Sequence, residues 1–144
     1  MAPQLTGVCH VTLTVNDLDA TTAWYRDVLG FRELLRYRNG AIASHCQVMD
    51  HADLPGFLLA FMRFDGADGT RFDEHVTGLD HLALGVGDHA ALGAWREHLE
   101  ALGIPYTTSD LPELSIVVVR DPDGVQLELC KDIASPDDGA GDAG

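Results

Sequence analysis

Apolar and polar residues alternate along two short runs of the chain. Val11, Leu13 and Val15 are interleaved with His10, Thr12 and Thr14; Leu82, Leu84 and Val86 are interleaved with His81, Ala83 and Gly85. A period of two marks a strand with one apolar face. Each run leads to an aspartate, Asp17 or Asp88, placed to cap the N-terminus of a helix. Beyond Asp88 the residues Leu92, Trp95, Leu99 and Leu102 recur at helical spacing on one face. Trp24 and Trp95 each follow their cap by the same interval and are expected to pack on the sheet's apolar face. Gly30 and Gly103 stand where the two helices should stop. Three further strands follow in each half, over roughly 33–38, 41–49 and 56–64, then 105–108, 114–120 and 124–130. The last of them springs from the turn sequence "DPDG", after which Val125, Leu127 and Leu129 alternate with Gln126, Glu128 and Cys130.

The two halves are copies. Gly7, His10, Asp17 and Trp24 are matched by Gly78, His81, Asp88 and Trp95 at one constant offset of 71 residues. A fixed offset of about half the chain indicates a duplicated unit. The fold expected is α+β: two tandem βαβββ modules, 5–64 and 78–131, joined by a linker over 65–77. Residues 132–144 are rich in Gly, Asp and Ala without periodicity, and are expected to form a disordered acidic tail. A single helix covers one face of each module's sheet, so the curved, mixed sheets must use the other face to line a cup.

Composition narrows the class of partner. The 144 residues are 46% hydrophobic, enough to build a core and too many for a disordered chain. A net charge of −14 excludes the basic patch that nucleic acid or an anionic membrane would need. No apolar run approaches the ~20 residues of a membrane span, and "MAPQLTGVCH" has no basic start and no apolar stretch of the secretory kind. Cys9, Cys46 and Cys130 form no metal-binding cluster and read as reduced thiols, as in a cytoplasmic protein.

The polar positions of the strands carry the chemistry. His10, His81 and Glu128 each sit at mid-strand on the side opposite the apolar residues. Two imidazoles and one carboxylate make a ligand set for a divalent transition metal with open coordination positions. Aligning Gly124 with Gly56 pairs Glu128 with Ala60, whose side of the strand reads Leu58, Ala60 and Met62. Three protein ligands are therefore expected, with an apolar wall of Leu58, Ala60 and Met62 and the nearby Thr12 lining a substrate pocket. His45 shares one side of a strand with Gln47 and is the candidate for a catalytic acid or base.

"HVTLTVNDLDATTAWYRDVLGF", "GLDHLALGV" and "DPDGVQLEL" resemble the vicinal oxygen chelate superfamily, which holds glyoxalase I, bleomycin-resistance proteins and extradiol dioxygenases. The resemblance spans roughly residues 5–131 and implies paired βαβββ modules closing around a metal-binding cup, the glyoxalase-like fold. In metal-dependent members the ligands lie on the first strand of each module and on the last strands. His10, His81 and Glu128 match three of those four positions, and the fourth strand reads "GFLLAFM". The tyrosine that ring-cleaving members carry ahead of their Asp-Pro is Val118 here. The resemblance implies an enzyme that chelates two neighbouring oxygens of a small organic substrate on a divalent metal (Fe2+, Mn2+, Ni2+ or Zn2+), with lyase, isomerase or oxygenase outcome. The alternative is a non-catalytic binding protein of the bleomycin-resistance type. Members pair modules within a chain or across two chains, and unpaired sheet edges point to a homodimer.

Overall fold

The computed structural model describes residues 1–110 and 114–131; the expected tail over 132–144 lies outside the described residues. The elements run β1 (His10–Thr14), α1 (Leu18–Leu29), β2 (Arg32–Asn39), β3 (Ser44–Asp50), β4 (Leu58–Phe64), β5 (His81–Gly85), α2 (His89–Ala101), β6 (Tyr106–Asp110), β7 (Ser115–Arg120) and β8 (Gln126–Cys130). This is βαβββ twice. The two four-stranded sheets share one topology, with strand orders β1-β4-β3-β2 and β5-β8-β7-β6. In each, the first strand pairs in parallel with the last and the remaining pairs are antiparallel.

The helices begin and end as their caps dictate. Asp17 accepts from the backbone N–H groups of Asp19 and Ala20, and Asp88 from that of Ala91, satisfying donors that a helix start leaves open. Gly30 closes α1 in the left-handed region at φ 77°, which costs a glycine nothing and any residue with a Cβ a good deal. One strand differs from expectation. The third strand was expected from residue 41, but Gly40–Ile42 form a single 3-10 turn capped by the Asn39 side chain, and β3 starts only at Ser44. The composition "NGA" favours that turn over the extended chain.

Packing separates the molecule into two compact units: Met1–Phe72 together with Asp121–Gly124, and Asp73–Arg120 together with the chain from Val125 onward. The core of the first unit is built from Leu13, Val15, Tyr25, Phe31, Met49, Leu59 and Phe61, all buried. Trp24, expected in that core, is only half-buried; its neighbour Tyr25 is fully enclosed and stacks edge-on against Trp24 and Phe31. Trp95 is likewise half-buried, and Leu92 and Leu99 carry the helix face of the second unit. Facing them are Val117, Val119, Leu127 and Leu129.

The turn Asp121–Gly124 does more than reverse the chain. Asp121, 4% exposed, accepts the Tyr25 hydroxyl proton at 3.1 Å, and Asp123, 8% exposed, accepts from the Asn16 backbone at 3.0 Å and side chain at 2.6 Å. Burial, then the charge and hydrogen bond of Asp121, push the Tyr25 phenol far above its ordinary pKa, so it stays neutral and donates. This network ties α1 and the residue ahead of its cap to the turn from which β8 departs.

Candidate metal centre

Strand register decides which side chains share a face. In the first sheet His10 stands opposite Leu58, Thr12 opposite Ala60 and Thr14 opposite Met62. Val11, Leu13 and Val15 turn the other way, toward the helix, and Leu13 and Val15 are buried there. Thus His10, Thr12, Leu58, Ala60 and Met62 occupy the face that α1 leaves uncovered. In the second sheet Ala83 stands opposite Glu128, and Glu128 opposite Val118 on its other side. Thr12 and Ala83 are repeat equivalents, so the register makes Ala60 the structural counterpart of Glu128. Leu59 and Phe61, on either side of Ala60 on β4, point into the core.

The second unit brings two of the three expected ligands together. His81 Nε2 lies 3.5 Å from Glu128 Oε2, on neighbouring parallel strands. On the far side of the ring, His81 Nδ1 lies 2.6 Å from Asp80 Oδ1. An ionised carboxylate can only accept, so Nδ1 carries the proton in this contact and Nε2 is the atom turned toward Glu128. Asp80 raises the His81 pKa chiefly through that hydrogen bond, against the effect of burial; the Glu128 and Asp80 charges add to the rise. A carboxylate fixing one imidazole nitrogen while the other faces a second carboxylate is an arrangement suited to metal ligation. Glu128 is 14% exposed at its side chain, so a cation there would meet a partly desolvated charge.

Asp80 was not singled out from the sequence. Its signal was adjacency to His81, but in the first module the equivalent position is Cys9, so the repeat gave no hint of it. His10 lies on the uncovered face of its own sheet with no carboxylate beside it at the position equivalent to Glu128.

His45 falls elsewhere. It pairs with Arg63 on β4, in the row that continues Leu59 and Phe61, and therefore lies on the helix side of the sheet, away from His10. There it lines a polar cavity of about 450 Å³ with Asn16, Asp17, Asp19, Arg36 and Arg63. His45 and Gln47 do share one side of β3, but it is the helix side: Gln47 is buried against the core and donates to the Leu35 and Val48 carbonyls.

Among the described residues one other set of donors clusters, Asp73, Glu74 and His75, with one ligand atom of each within 4.8 Å of the others. These groups are already engaged. Asp73 binds the His75 backbone N–H and ring at 2.9 Å, and Glu74 is bound to Arg120. The second unit also holds a cavity of about 420 Å³ lined by Pro105, Tyr106, Thr107, Val118, Arg120 and Gln126. Val118 and Gln126 place it on the same sheet face as Glu128. No helix among the described residues is long and apolar enough to cross a membrane.

Comparison with known proteins places the family and the fold. Residues 7–129 match the model of the glyoxalase/bleomycin resistance protein/dioxygenase superfamily. The chain is 31% identical over 126 residues to lactoylglutathione lyase of Haemophilus influenzae, covering 85% of this chain and 90% of that protein. It is 26% identical over 131 residues to MhqO of Bacillus subtilis, named as a ring-cleaving dioxygenase, but spans only 41% of that protein's length against 90% of its own. A solved glyoxylase/bleomycin resistance protein/dioxygenase domain from Frankia sp. EAN1pec superposes with a TM-score of 0.79 at 34% identity, covering 89% of this chain and 98% of that one.

Proposed function

The chain belongs to the glyoxalase/bleomycin resistance protein/dioxygenase superfamily, and on that footing we propose that it is a divalent-metal-dependent enzyme acting on a small organic substrate. The observation that carries the reading is the His81–Glu128 pair, with Asp80 behind the imidazole. A structural role for that pair would not require an oriented ring nitrogen aimed at a carboxylate on an otherwise uncovered sheet face. His81 and Glu128 supply two ligands, and His10, the repeat equivalent of His81, supplies the third, either from the same chain or from a second copy. A bound divalent ion would contribute Lewis-acid polarisation of neighbouring substrate oxygens.

The chain's own residues do the rest. Asp80 holds the His81 tautomer, so Nε2 presents its lone pair without rearrangement. Glu128 supplies the negative charge that offsets the cation. Leu58, Ala60 and Met62 line the first sheet's uncovered face without polar groups, which keeps the coordination set at three protein ligands. Val118, directly across from Glu128, adds an aliphatic wall where ring-cleaving relatives are expected to hold a tyrosine. That departure, together with the absent fourth ligand, separates the proposed chemistry from both a four-ligand glyoxalase and a tyrosine-assisted ring cleavage.

The test is metal content of the purified protein, followed by titration with Mn2+, Fe2+, Ni2+ and Zn2+. About one ion per three-ligand site is expected, with binding reduced ten- to a hundredfold or more in Glu128→Ala and about tenfold in Asp80→Asn, which leaves the ligands but loosens the ring. Equal stoichiometric binding by wild type and by the variant lacking His10, His81 and Glu128 would exclude the site. Metal-independent retention of a small molecule would instead mark a binding protein of the bleomycin-resistance type.

A further inference from the structure

The cavity beside Glu128 has one cation in its lining, Arg120. Arg120, at the end of β7, sends its guanidinium to the carboxylate of Glu74 as a fork: Nη2 donates to Oε1 at 2.5 Å and Nη1 to Oε2 at 3.1 Å. Nη2 also donates to Gln126 Oε1 at 2.9 Å. Glu74 comes from the turn ahead of β5, a segment without helix or strand, and not from the sheet. The hydrogen bond from Arg120 depresses its pKa to about 2. The structure thus presents a cavity of about 420 Å³ whose cationic fork is already filled by a carboxylate of the chain itself.

We propose that Arg120 is the substrate-anchoring residue of this cavity, that it recognises the carboxylate of a compact carboxylic acid, and that Glu74 occupies the same slot as an intramolecular competitor until such an acid displaces it. The chemistry of the lining supports a ligand with one charged end and an apolar body. Arg120 and Gln126 form the polar end, Thr107 offers a hydroxyl, and Pro105 and Val118 are apolar. A planar guanidinium matches a carboxylate in two parallel hydrogen bonds, so exchanging one carboxylate for another conserves them. The volume lies within the range of pockets that enclose small ligands.

Register connects the anchor to the metal pair. Arg120 is opposite Gln126, and Val118 is opposite Glu128, so Arg120 and Glu128 are diagonal neighbours on one face, about 7–8 Å apart at their backbones. A ligand held at Arg120 lies across Val118 with its far end toward Glu128. This places the substrate's carboxylate about one ring away from the oxygens that would meet the metal, and here the inference rests on the proposed metal-dependent reading. The anchor itself does not, because no metal contributes to the cavity's polar end.

Benzoate binding to the full-length protein, stripped of metal and dialysed free of chelator, tests the anchor apart from the metal centre. Benzamide serves as the uncharged control, and calorimetry or side-chain NMR of Arg120 as the readout. Glu74→Gln is expected to bind benzoate about tenfold more tightly than wild type, since a tethered competitor acts at millimolar effective concentration. Arg120→Gln should lose at least tenfold, Arg120→Lys should fall between because it keeps the charge but not the fork, and benzamide should bind weakly throughout. Melting curves identify any variant that fails to fold, and Arg120→Lys keeps the test decisive if Arg120→Gln does. Equal benzoate affinity in wild type and both Arg120 variants, no gain in Glu74→Gln, or no preference over benzamide would each overturn the proposal. Loss of metal binding in the separate titration leaves these readouts unchanged.

Discussion

At the scale of single residues, partners explain more than exposure does. Tyr25 is the largest side chain with no solvent contact, and its hydroxyl is satisfied by a buried carboxylate. Replacing it with Phe keeps the packing and strands Asp121 without that donor, so a loss of about 1–3 kcal/mol is expected by chemical denaturation. Ala60 makes a sharper case. It is 5% exposed and occupies the register position of Glu128. Ala60→Glu buries an unpaired carboxylate and should lower the melting temperature of the metal-free protein. It also places a carboxylate diagonal to His10, so divalent metal should restore part of the loss; no metal-dependent recovery would argue against His10 as a ligand. Glu74 predicts a pH effect. Its pKa falls from 4.5 to about 2 on folding, through the Arg120 hydrogen bond. The stabilisation is full above the unfolded value and disappears as pH drops through the folded one. The stability difference between wild type and Glu74→Gln should therefore shrink between pH 4.5 and about 2 in acid-unfolding curves and stay constant above that window.

At the scale of elements, helix boundaries were legible because caps are local. Asp17 accepts two backbone N–H groups and Asp88 one. Asp17→Ala is accordingly expected to cost about 1 kcal/mol, and Asp88→Ala less, by thermal denaturation. The strands were legible as to number and order, but β3 began three residues late because a turn at Gly40–Ile42 took up the start of the apolar stretch. The edge strand β2 shows how a sheet protects itself. Leu34, Leu35 and Tyr37 are exposed along it, and Arg32, Arg36 and Arg38 break the run, paired with Asp50, Asp19 and Asp65. Charges so placed discourage edge-to-edge pairing with other chains.

At the scale of the whole molecule, the duplication poses the question of which chain completes the centre. His10 belongs to one unit, and His81 with Glu128 to the other. We expect a homodimer, to be checked by light scattering at micromolar concentration. Mixing inactive His10→Ala with inactive Glu128→Ala protein should restore activity on subunit exchange if ligands are shared between chains, and should restore none if each chain builds its own site. By itself the sequence determined the βαβββ repeat, both N-caps, and the choice of His10, His81 and Glu128 as residues facing away from the apolar sides, because alternation and capping act within a few residues of chain. Only the tertiary structure decided that His45 lies on the helix side, that Asp80 fixes His81, that Tyr25 displaces Trp24 from the core, and that Glu74 fills the fork of Arg120. Each of these depends on strand register or on contacts between residues distant in sequence, and pairing one strand with another is a choice that no local pattern encodes.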